Sequence, residues 1–110
     1  MEAVIDLGEP RPVNQVYTTF LQFNQAWIFL PSEVEFSVSK DGKVFSEPVN
    51  VLTAESPQKT GSFMQEFSAD YGGEPVRFVK VKAVSLKVCP PWHGGHGLPC
   101  WIFCDEVVIN

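Results

Sequence analysis

No stretch of ten or more residues in this chain carries apolar side chains at helical spacing; short runs of Val, Ile, Phe and Thr recur instead between clusters of Gly, Pro, Asn and Asp. A backbone punctuated in this way buries apolar side chains by pairing short extended segments. The expected fold class is therefore all-β. Candidate extended runs, not all of them separate strands, are residues 3–7, 13–23, 26–30, 34–39, 43–45, 48–53, 63–67, 76–83 and 100–109, with Pro31 stopping the third because it has no N–H to give a central ladder.

Alternation fixes the facing of several runs. Val34, Phe36 and Val38 oppose Glu33, Glu35, Ser37 and Ser39, which sets one face toward a core and the other toward water. Val16, Thr18 and Phe20 face away from Tyr17, Thr19 and Leu21, while Val79, Val81 and Ala83 face away from Lys80 and Lys82. Asp41-Gly42 is a favoured pair for a two-residue turn, since both central positions need positive φ, so a tight hairpin returning through Lys43-Val44-Phe45 is expected. Seven or eight short strands joined by turns point to an antiparallel β-sandwich or jelly roll, with barrel closure as the other way of arranging them.

The chain has 110 residues, of which 45% are hydrophobic and 13% aromatic. That suffices for the core of one domain without a metal or disulfide staple. Eight basic residues against thirteen acidic ones give a net charge of −5, and the basic residues form no run. The balance argues against nucleic acid or an anionic membrane as the main partner. No apolar stretch approaches the roughly 20 residues that span a bilayer, and the first residues lack the pattern of a signal peptide.

The last quarter differs in kind. Residues 86–99 form a single connection with three prolines, three glycines, two histidines and a tryptophan, and long connections of this type tend to carry function. Cys89, His93, His96, Cys100 and Cys104 follow with three, two, three and three residues between them. A zinc site would need Cys100 and Cys104 as neighbouring ligands, but four residues of strand span roughly 13 Å, too far for one ion. The same distance excludes a Cys100–Cys104 disulfide. A Cys89–Cys100 bridge is geometrically open and would close the Pro/Gly loop, contributing about 3 kcal/mol in an oxidising compartment. Cys104 is expected as a small core residue.

Catalysis by this chain alone is not expected. The one adjacent acidic pair, Asp105-Glu106, points to opposite faces of a strand, whereas glycoside hydrolysis needs carboxylates facing one another. Trp92 instead offers a flat indole face, of the kind that packs on the apolar side of a sugar ring, with His93 and His96 beside it in sequence to hydrogen-bond hydroxyls. Asn24 and Gln25 are further candidates to hydrogen-bond hydroxyls through their amides, and Trp27 with Gln25 is the candidate for an opposite wall. The competing reading folds Trp92 inward, as a plug over the open end of the sheet structure.

Residues 26–31, 34–45 and 76–83, followed by Cys89-Pro90-Pro91-Trp92-His93 and by Trp101-Ile102-Phe103-Cys104-Asp105-Glu106, resemble the discoidin family, also called the coagulation factor five/eight type C domain. The Pro-x-Trp-His and Trp-Ile-Phe signatures are most similar to modules at the C-terminus of family 20 β-N-acetylhexosaminidases (chitobiases) of Bacteroides-like bacteria. The resemblance implies a jelly-roll β-sandwich of galactose-binding-domain-like fold over residues 1–110, without the N-terminal strand or strands of the whole module. In the family that missing part includes a frequent calcium position, so any calcium would belong there and no cofactor is expected on this chain. It further implies an accessory, non-catalytic module of an exported glycoside hydrolase, periplasmic, secreted or at the cell surface by way of the parent protein. Such modules bind terminal galactose or N-acetylglucosamine, or else pack on the catalytic domain of the parent chain and stabilise it.

Overall fold

A computed structural model describes residues 1–53, 60–86, 89, 92–95 and 97–110. Those residues form five strands: β1 (Glu2–Gln22), β2 (Glu33–Ser39), β3 (Val49–Leu52), β4 (Phe63–Val84) and β5 (Phe103–Ile109). Every named strand pairing is antiparallel, and the order across the sheet is β3-β2-β4-β1-β5. The all-β expectation is met. The count of seven or eight short strands is not, because two pairs of the expected runs are each one long strand.

β1 joins residues 3–7 to 13–23 across a segment that reads as a break in the sequence. Pairing with β4 shifts between Asp6 and Arg11, then resumes with Arg11 opposite Val76 and Pro12 opposite Pro75. Two facing prolines suit a pair of positions that exchange no ladder hydrogen bonds, so neither missing N–H is felt. On β4 the join between residues 63–67 and 76–83 runs through Gly72 and Gly73, both at positive φ, a backbone that other residues adopt only with strain. Asp6 and Arg77 tie the irregular stretch together, with Nε–Oδ1 at 2.9 Å and Nη2–Oδ2 at 3.2 Å. The guanidinium and the Gly8 N–H together hold the Asp6 carboxyl below its usual range.

A straight strand of this length would reach about 70 Å, yet the longest dimension of the molecule is 47 Å. The β1–β4 ribbon therefore doubles over. Its two ends meet beside the segment before β2: the Leu30 N–H faces Gln22 Oε1 at 3.5 Å, and the Ser32 N–H donates to the Val84 carbonyl at 2.8 Å. The halves enclose one core, with Val16, Phe20, Phe67 and Ala69 from one half and Val34, Phe36, Val38, Val79 and Val81 from the other. Phe20 and Phe67 meet edge to face with centroids 5.8 Å apart.

β2 and β3 are paired as a hairpin, but not through a two-residue turn. Residues 40–48 form a longer loop, because the Asp41 carboxylate accepts the N–H groups of Lys43 and Val44 and the hydroxyl proton of Ser39. These bonds curl the chain back before it can enter a ladder, and they lower the Asp41 pKa. Residues 43–45 are consequently not a strand. Residues 26–30 are not one either: a 3-10 turn, Asn24–Ala26, is followed by isolated bridges of Ile28 to Phe23 and to Trp101. Cys104, expected in the core, is partly buried against its margin beside the Thr18 hydroxyl.

Candidate functional site

The segment between β1 and β2 and the segment between β4 and β5 meet at the end of the molecule where β2 begins. Their junction is a short run of backbone bonds: the Trp101 N–H donates to the Trp27 carbonyl, and the Phe29 N–H to the Trp101 carbonyl, both at 2.9 Å. Trp27 itself has a left-handed backbone, φ 64° and ψ 25°, at the end of the 3-10 turn. This conformation aims its indole across the junction.

His93 sits at the centre of the aromatic group. Its ring is 5.4 Å from that of Phe29, 5.7 Å from Trp92 and 5.9 Å from Trp27, in each case edge to face. Trp92 also meets the edge of Phe29 at 6.1 Å. The Gly95 N–H donates to His93 Nδ1 at 2.9 Å, so Nδ1 carries no proton, and Nε2–H donates to the Asn24 carbonyl at 2.6 Å. Both ring nitrogens are thus engaged within the chain. His93 braces the group from inside in this arrangement.

Gly95 is buried against Trp27. A Cβ at that position would lie 2.9–3.1 Å from three indole atoms, so only glycine lets the loop approach this closely. Below the rings, Phe29 packs with Cys89 and Cys100 in a small buried cluster that Trp27 and Leu86 border. Cys89 donates its N–H to the Leu98 carbonyl at 2.9 Å and accepts from the Gly97 N–H at 3.4 Å. Burial pushes the Cys100 thiol above its ordinary value, and the adjacent Cys89, whose thiol hydrogen-bonds it, pushes in the same direction.

The structure therefore brings Trp27, Trp92 and His93 together, with Gln25 exposed in the neighbouring turn. His96 lies outside the described residues, as do Pro90 and Pro91. Trp92 is neither free nor entombed: it keeps 43% of its surface while two rings fix its edge. Two members escaped the sequence reading. Phe29 looked like an ordinary strand residue, and Trp101, placed in an apolar strand, stands 65% exposed. Their signal was the density of aromatics on both sides of the junction, which becomes meaningful only once residues 27 and 101 are known to be paired.

Other features lie elsewhere. A cleft of about 350 Å³ opens at the far end of β2, among Val38, Asp41, Phe45, Glu74 and Val76. On the outer surface, Phe103, Leu21 and Met64 are direct cross-strand neighbours on β5, β1 and β4, and so form an apolar row with Phe103 and Met64 exposed. Among the described residues no group of three or more His, Cys, Asp or Glu side chains is placed to hold a metal ion. Comparison with protein-family models gives no match, and none of the curated proteins matches the chain either.

Proposed function

We propose that this chain is a non-catalytic carbohydrate-binding module of discoidin type, a jelly-roll sandwich that serves an exported glycoside hydrolase of the family 20 β-N-acetylhexosaminidase class. The observation that carries the reading is the state of Trp92, whose edge is fixed by Phe29 and His93 while much of the ring meets solvent. A fixed, exposed indole loses little freedom when a sugar ring stacks on it. Trp92 is the stacking surface, His93 its brace, and Trp27 the adjoining wall, while the exposed Gln25 supplies an amide for hydroxyls. The sugar class is a terminal galactose or N-acetylglucosamine, and the setting is periplasmic or extracellular.

A chemical-shift titration with each sugar tests this. Shifts in the Trp92 and Trp27 indole N–H signals at millimolar sugar are expected, and Trp92→Ala should abolish the Trp27 shift under conditions where circular dichroism shows the variant still folded. The absence of shifts, joined to a large thermal loss in Trp92→Ala, would leave a structural role. A specific observation favours that second reading: the Phe103-Leu21-Met64 row, exposed at Phe103 and Met64, is a surface on which the catalytic domain of a parent chain would pack.

A further inference from the structure

The two cysteines beneath the aromatic group bracket the segment that carries Trp92, His93 and Gly95, with ten residues between them. Both are buried, both are free thiols, and they share one cluster with Phe29. The backbone beside them is already drawn together, since Cys89 is hydrogen-bonded to Leu98 and Gly97 on the returning limb of the loop. Cys104 is separated from them, packed at the margin of the main core against Thr18. Pairing therefore has a built preference.

We propose that Cys89 and Cys100 are a redox-active dithiol whose disulfide staples the Trp92 loop to the body of the molecule. The oxidant is a low-molecular-weight disulfide. The thiolate of one cysteine attacks a sulfur of that disulfide and expels one thiolate, giving a mixed disulfide. The thiolate of the second cysteine then attacks the protein sulfur of the mixed disulfide and expels the other. Two protein thiols become one cystine, the small disulfide is reduced to two thiols, and the two protons end on the leaving thiolates. A bridge of this kind needs Cα atoms roughly 4.4–6.8 Å apart, a separation that side chains already touching in one cluster can reach with little backbone movement. The inference stands on the thiols alone and does not depend on whether the indoles bind sugar.

The full chain, refolded from urea in a glutathione redox buffer, puts the pairing under thermodynamic control. Acid quenching, alkylation of the remaining thiols and peptide mass spectrometry then show which cysteines are joined. Expected are one bridge per chain linking Cys89 to Cys100, with Cys104 alkylated, and a melting temperature raised by roughly 10 °C that dithiothreitol reverses. Cys104→Ser keeps the pair intact and should give the same bridge, which guards against reading a misfolded Cys89→Ser or Cys100→Ser variant as a result. Alkylation of both Cys89 and Cys100 under these conditions, or a bridge that includes Cys104, would overturn the proposal.

Discussion

Trp27 adopts a left-handed backbone, which costs a non-glycine residue about 1–2 kcal/mol. It is held there from several directions: its N–H donates to Asn24, its carbonyl accepts from Trp101, and its indole lies on Gly95 and His93. Strain of this size persists only where surroundings over-determine it. Gly95→Ala is the sharpest test, because the new Cβ would press into the indole. A loss of about 1–3 kcal/mol is expected from overpacking, and Gly94→Ala, which meets nothing within 4 Å, should cost far less. Urea unfolding of the two variants checks the contrast. At this scale the sequence was partly legible. Trp92, His93 and Trp27 stood out by type and by the turn residues around them, whereas the engagement of both His93 nitrogens did not. That depends on the Asn24 carbonyl, 69 positions away in the chain, and no local pattern encodes it.

Strand facing was readable wherever one side of a strand is solvated. Val34, Phe36 and Val38 are buried as expected, and so are Val79, Val81 and Ala83, but Ser37 and Ser39, expected to meet water, are buried as well under the loop that follows β2; of the alternating sides of β1, the one carrying Val16, Thr18 and Phe20 is the buried one. Strand continuity was hidden, because residues 8–12 and 72–75 carry the glycines and prolines that normally end an element, and here they bend one. The ladder lapses only locally, over residues 7–10 of β1 and around Gly72-Gly73 of β4, and it resumes beyond each irregularity because the partner strand carries on, which is a property of two strands together. The β1–β5 ladder shows how such an irregularity is secured. Its register shifts between Thr19 and Phe20, and beside the shift the buried Thr18 hydroxyl donates to the Glu106 carbonyl at 2.7 Å. Thr18→Val keeps the shape and removes the donor, leaving the Glu106 carbonyl only the long Cys104 Sγ contact at 3.8 Å, so a loss of about 1 kcal/mol is expected. Hydrogen exchange should show the change concentrated in β5, with β2 and β3 following only the global unfolding.

The whole molecule is drawn out rather than round: its radius of gyration is 15.3 Å, where about 13 Å is typical of a chain this long. Its central ladder joins Glu2 to Lys82 and Gln22 to Phe63, pairings that close long loops before any local contact offsets the cost. Refolding on the millisecond-to-second scale is therefore expected, in a stopped-flow experiment under reducing conditions. Phe20→Ala should lower stability by about 3–5 kcal/mol, because that ring is fully buried between the halves. The doubled ribbon has a mechanical consequence as well. Each half of the body owns part of the same two strands, so the halves cannot hinge or slide apart as lids do without creasing both strands afresh.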